Sequence, residues 1–97
     1  MSTDRPPQRE DHATKGRYVL TRNGVEAEIT FSVTTPTLII ADHTSVPDAL
    51  RGTGVGVALV AFMVTDARTR GIKIVPLCPF VNAQRRKHPE WADAFAT

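Results

Sequence analysis

From Val25 to Val33 the chain alternates. Ala27, Ile29, Phe31 and Val33 fall on one face, and Glu26, Glu28, Thr30 and Ser32 on the other. Period two with one polar face predicts an antiparallel strand lying on a core. Asn23-Gly24 just before it tolerates positive φ at both residues, which predicts a tight hairpin back to a strand over residues 17–21. After a break at Thr34-Thr35-Pro36, residues 38–41 are continuously apolar, and that predicts a central strand buried on both faces and ending near Asp42. Residues 55–70 form the one long helical pattern, all apolar or glycine as far as 64 and therefore expected to be almost wholly buried. Asp66 and Arg70, four apart, are expected to face solvent together, and Gly71 to end the helix. Residues 72–75 read as a second strand of the same crossover unit, parallel to 38–42. Pro76 and Pro79 remove ladder donors, so pairing is expected to loosen there. Residues 81–87 predict a short helix, Pro89 interrupts it, and Trp91 and Phe95 at i, i+4 are expected to dock on the body. The fold class is α/β (α+β): a mixed sheet with an N-terminal antiparallel hairpin, one long central helix in a crossover unit and a short C-terminal helix.

Length and charge narrow this picture. The chain has 97 residues, enough for one domain, expected over residues 17–97. Residues 1–16 are polar, include Pro6 and Pro7, and are expected to form a disordered arm. They lack the apolar centre of a signal peptide, and the single cysteine, Cys78, cannot form an internal disulfide, so a cytoplasmic setting is expected. No apolar run approaches a membrane span. The net charge of +2 argues against nucleic acid as a partner, although Arg85, Arg86 and Lys87 are consecutive with His88 next. A monomer or weak homodimer is expected. The three histidines and one cysteine are too scattered for a metal site.

The richest chemistry lies in Arg51-Gly52-Thr53-Gly54-Val55-Gly56, between a strand and the buried helix. Glycines permit unusual dihedrals and remove Cβ atoms that would block a ligand. The first helical turn leaves unpaired N–H groups that favour phosphate, and Arg51 adds a charge. No Gly-Lys-Ser/Thr follows, so this is not a nucleotide P-loop. Leu59 stands where a dinucleotide fingerprint requires its third glycine.

This loop resembles the acyl-CoA pyrophosphate signature of the GCN5-related N-acetyltransferase (GNAT) superfamily. Together with His43-Thr44-Ser45-Val46-Pro47, Val75-Pro76-Leu77-Cys78-Pro79-Phe80-Val81 and His88-Pro89-Glu90-Trp91, it resembles a subfamily of very small acetyltransferase-like proteins, over about residues 17 to 95. The resemblance implies a splayed sheet, with acetyl-CoA or CoA as cofactor. Backbone around His43, Thr44, Ser45 and Val46 would pair with the pantetheine arm. Arg51, Gly52, Thr53, Gly54, Val55 and Gly56 would hold the pyrophosphate, and Arg85, Arg86 and His88 would lie near the adenosine; Phe80 has two uses open to it, core packing and lining the thioester channel. It implies transfer of acetyl to an amine, a small molecule or a protein lysine, with Cys78 near the thioester. Full-size members have helices before the hairpin and commonly a tyrosine acid on the late helix. This chain has only a largely polar stretch of 16 residues in the first place, so the acceptor side is expected to be open or completed by a partner subunit, and with no tyrosine after Tyr18 the tyrosine assignment does not carry over.

Cys78 and His43 are the catalytic candidates, each following one strand of the crossover unit. Two roles are open. Cys78 accepts acetyl covalently with His43 as base, or transfer is direct, with Cys78 protonating the departing thiolate and His43 deprotonating the amine. A non-catalytic CoA-binding or sensor module is the alternative function.

Overall fold

The computed structural model describes residues 4–96. Asn23 (φ 53°) and Gly24 (φ 74°) turn the chain between β2 (Lys15–Arg22) and β3 (Val25–Thr35), as their tolerance of positive φ predicts. β4 (Leu38–Ser45) follows antiparallel, helix α1 (Val55–Arg70) carries the chain back, and β5 (Lys73–Val75) joins β4 in parallel. α1 ends where Gly71 donates its amide to the carbonyls of Ala67 and Arg68. A second helix, α2 (Pro79–Lys87), and a 3-10 turn (Pro89–Ala94) complete the element order. Phe95 then bridges to Ile74 along the outer edge of β5, with the Ala96 amide on the Ile74 carbonyl at 2.9 Å.

The mixed α/β class and the crossover unit agree with the sequence pattern. The amino-terminal arm does not. Arg5–His12 forms strand β1, antiparallel to β2, so the sheet has five strands in the order β1-β2-β3-β4-β5. The expected disorder of residues 1–16 is therefore corrected from Arg5 onward, and Met1, Ser2 and Thr3 lie outside the described residues. Pro6 and Pro7 fit because β1 is an edge strand, where a missing N–H need not break a ladder. The β1–β2 register is irregular between Arg5 and Gln8, at those prolines.

Arg9 is what attaches this strand to the body. It sits opposite Tyr18 on the core face, with its guanidinium 4.6 Å from the centroid of the Phe31 ring. It donates to Asp66 of α1 at 3.2 Å, and the Tyr18 hydroxyl donates to the same carboxylate oxygen at 2.8 Å. Arg70 completes the set from one turn along the helix at 2.9 Å. Asp66 is thus turned inward, with its side chain 16% exposed, rather than facing solvent with Arg70. Burial pushes the Asp66 carboxyl up, but hydrogen bonds from Arg70, Tyr18 and Arg9 outweigh it and hold the group below its ordinary value. Burial, followed by the bond to Asp66, raises the Tyr18 hydroxyl.

The core lies on one face of the sheet. Ile29, Phe31, Ile39, Ala41, Leu59, Val60, Met63, Ile74 and Val81 belong to one cluster with Phe95. Residues 38–41 are consequently not buried on both faces: Ile39 and Ala41 are buried, whereas Leu38 and Ile40 are only half-buried. α1 likewise departs from complete burial, since Val57 is exposed and Ala58, Ala61 and Phe62 are half-buried. The other sheet face is mostly polar, with Val19, Leu38 and Ile40 as its apolar members. There Arg17 on β2 binds Glu10 and Glu28 at 2.8 Å each and Glu26 at 3.1 Å. No described helix is long and apolar enough to cross a membrane.

The Asp66 cluster makes stability depend on acid. A carboxyl held below its ordinary value stabilises the fold above about pH 4, and that stabilisation is lost as pH falls through the lower folded value. Asp66→Ala is expected to lose about 2 kcal/mol at pH 7, with the difference from the parent chain narrowing toward pH 3. Urea denaturation across that range measures both.

Candidate functional site

The site begins where β4 and β5 part. Their ladder holds for Leu38–Lys73, Ile39–Ile74 and Ile40–Val75 and then stops. Pro76 and Pro79 have no amide to continue it. The Leu77 amide turns back to the Val75 carbonyl at 3.0 Å, and the Cys78 amide reaches Ala41 at 2.9 Å. Past that last bond β4 runs on to Ser45, still paired with β3. Among the described residues no strand covers its opposite edge, which leaves a slot that an extended chain could enter.

A bulge in β4 decides which side chains face which way. Phe31 pairs with Ala41, yet Thr30 pairs with His43, so Asp42 is the extra residue. The insertion reverses the alternation. Thr44, opposite Ile29, comes onto the core face, where its Oγ1 lies 3.2 Å from the Cys78 sulfur in hydrogen-bond contact. His43, opposite Thr30, is exposed on the outer face. Asp42 also turns outward and accepts the Ser32 hydroxyl at 2.6 Å. The two catalytic candidates are therefore separated by the sheet: Thr44, not His43, touches Cys78.

After Ser45 the chain makes a 3-10 turn (Asp48–Leu50) and enters the glycine loop. Gly54 (φ 83°) is the residue before α1 and supplies no side-chain cap to the helix. The Ala58 amide makes the first helical bond, to the Gly54 carbonyl at 3.0 Å. The amides of Val55, Gly56 and Val57 precede it and have no partner within the helix. No acidic residue lies in the first turn. The helix start is thus uncapped and electropositive. A Cβ at Gly52 or Gly54 would meet nothing within 4 Å, so the loop borders open space. At Gly56 the opposite holds. A Cβ there would stand 2.8 Å from the tip of the Phe80 ring, so glycine lets α1 and α2 close together.

These elements enclose a cavity of about 520 Å³, lined by Thr44, Val46, Arg51, Gly52, Gly54, Val55, Gly56 and Phe80, together with Leu50 and Val57. That volume is ordinary for a small-molecule site. Of the candidate binding residues, Ser45 and Thr53 are not in the wall. The Thr53 hydroxyl donates to the Leu50 carbonyl at 2.5 Å, bracing the loop from within. Arg51 is exposed and pairs with Asp48 at 3.1 Å. Cys78 is 3% exposed and lies behind Thr44. The end of α2 is elsewhere: Arg85 is held by Asn82 at 2.9 Å, Arg86 is exposed, and His88 stacks on Trp91 at 4.0 Å and contacts Glu90. Leu50 and Val57 were not singled out from the sequence. Val57 offered a signal, because an apolar residue in the first turn after a ligand loop can face the ligand rather than the core.

Gly54→Ala forces a left-handed conformation on a residue with a Cβ. It is expected to lower stability by about 1–2 kcal/mol in urea denaturation, although the new methyl group meets no neighbour.

No curated protein matches the chain. Residues 17–94, four-fifths of its length, match the family described as GCN5-related N-acetyl-transferase. The uncapped loop, the parted strands and this match agree: the chain belongs to the GCN5-related N-acetyl-transferase family.

Proposed function

We propose that this protein is an acetyl-CoA-dependent N-acetyltransferase that acts by direct transfer. One observation carries the reading: the uncapped start of α1 opens a cavity that runs to the unpaired edge of β4 and, through Thr44, to Cys78. The family typically binds acetyl-CoA, and the residues present suit it. The amides of residues 55–57 and the glycine loop match a pyrophosphate. Arg51 can turn to the same anion, because its exposed pair with Asp48 holds it weakly. The free edge of β4 at Thr44 and Ser45 suits the amide groups of a pantetheine arm, and Val46 and Phe80 its apolar parts. When bound, acetyl-CoA supplies a thioester whose acyl carbon an amine attacks, with release of the CoA thiol.

The chain's own groups divide between the two faces of β4. Cys78 does not line the cavity, whereas Thr44 does and its hydroxyl contacts the Cys78 sulfur, so a proton from Cys78 would reach the leaving sulfur through Thr44. Thr44 would give its proton to that sulfur and regain one from Cys78, and the Cys78 thiolate would be reprotonated through Thr44 by water once the CoA thiol has left. The Cys78 amide is engaged by Ala41, leaving the Phe80 and Val81 amides at the start of α2 as donors for the acyl oxygen. On the outer face His43 takes the proton lost by the amine. Separation of His43 from the thiol supports this route over an acetyl-cysteine intermediate.

Calorimetric titration with CoA and acetyl-CoA tests the reading. Binding is expected, and Gly56→Ala is expected to weaken it by about tenfold or more by driving the Phe80 ring into the cavity. Absence of binding to the parent chain would sink the proposal. With binding established, Cys78→Ser and Thr44→Val should each lower turnover by about 100-fold, and intact mass after acetyl-CoA exposure should show no acetyl on Cys78. The 3% exposure of Cys78 favours one other reading, a CoA-binding module without turnover. That module would bind CoA tightly, show no acetyl loss and be indifferent to Cys78→Ser.

A further inference from the structure

A second cavity, of about 570 Å³, lies on the polar side of the sheet and is lined by His12, Lys15, Gly16, Arg17, Thr30, Phe31, Ser32 and Asp42. It plays no part in holding the cofactor proposed above. Its position is nonetheless tied to that site, because the bulge that brings Thr44 to Cys78 also sends Asp42 into this wall. Asp42 adjoins Ala41, the last residue of β4 bonded across the splay.

The charges of this wall are of two kinds. Arg17 is already neutralised by Glu10, Glu26 and Glu28. Lys15 makes no side-chain hydrogen bond or ion pair among the described residues. Asp42 uses Oδ2 for Ser32 and keeps Oδ1 for another donor. Lys15 stands opposite Ser32 on the neighbouring strand, and Asp42 reaches Ser32 from the far side. One free cation and one free carboxylate oxygen thus flank Ser32, about two strand spacings, or ~10 Å, apart along the backbone. Both residues line the cavity. A polyamine would find in Asp42 the one carboxylate of the wall and beside it the unpaired ammonium of Lys15. A simple acid would meet Asp42. A molecule with an ammonium and a carboxylate on one carbon offers a partner to each.

We propose that this outer cavity binds a small α-amino acid-like zwitterion, its ammonium at Asp42 and its carboxylate at Lys15, and that this ligand is the acetyl acceptor. Asp42 and His43 are consecutive on the outer face of β4, so His43 is the base nearest to that ammonium. The word acceptor rests on the acetyl-transfer reading, but the binding does not.

The test is a ¹⁵N NMR titration of the full chain, without acetyl-CoA, using L-alanine, ethylamine, propionate and Nα-acetyl-lysine amide as probes. Alanine is expected to shift the amides of Lys15, Ser32 and Asp42. Ethylamine and propionate are expected to bind about tenfold more weakly or worse, since each forgoes one charge-assisted bond. Lys15→Gln and Asp42→Asn should each weaken alanine by a similar factor, with spectra that show the fold intact. No shifts on this face, equal binding of alanine and ethylamine, preference for the lysine amide, or indifference to both substitutions would each overturn the proposal. A separate titration with CoA reports on the amides of residues 54–57. If that fails while alanine binds, the transfer reading falls and the zwitterion site stands.

Discussion

The interaction on which the site depends is a hydrogen-bond ladder that stops. β4 and β5 pair over three residues, and the two prolines after β5 leave only the Cys78 amide to reach across to Ala41. Had the ladder continued, the edge of β4 beyond Ala41 would be consumed by the sheet and no slot would exist. Because it stops, Cys78 is drawn in against β4 while Leu77 is pushed out, 66% exposed. The start of α1 and the ring of Phe80 then face one another across the opening. A local failure of pairing, set by two imino acids, thus places the thiol, the slot and the anion-binding loop in one neighbourhood.

Most of the framework was legible in the sequence because it rests on short-range rules. The alternation from Ala27 to Val33, the positive φ of Asn23 and Gly24, the span of α1 and its stop at Gly71 all depend on a residue and its near neighbours. What escaped depended on partners far along the chain. β1 reads as a polar arm because its contribution to the core is an arginine. Only Tyr18, Phe31 and Asp66 together make Arg9 a buried neighbour, its aliphatic stem and guanidinium plane covering rings while its donors meet a carboxylate. Likewise Leu38 and Ile40 read as buried on both faces, but no described helix packs on the outer side to bury them.

The site was legible in its loop and less so in its reacting end. Glycines and a following helix announce themselves by residue type, and most of residues 51–56 do line the cavity. The partnership of Cys78 turned on a bulge. A single extra residue at Asp42 exchanges the faces of His43 and Thr44, and nothing in the identities of these residues marks where the insertion falls. A strict period of two would give the sulfur the wrong neighbour.

The family match covers residues 17–94, whereas the sheet is finished at both margins by residues beyond it. On one side β1 pairs with β2, and on the other Phe95 and Ala96 bond along β5. A row of unpaired amides and carbonyls is a template for a neighbouring molecule's strand, and edge strands are where sheets stick to one another. The residues shared with the family thus supply the pocket, and those outside the match form the two margins of the sheet. Trimming the chain to its recognisable portion would uncover the outer edges of β2 and β5 at once and take Arg9 from Asp66.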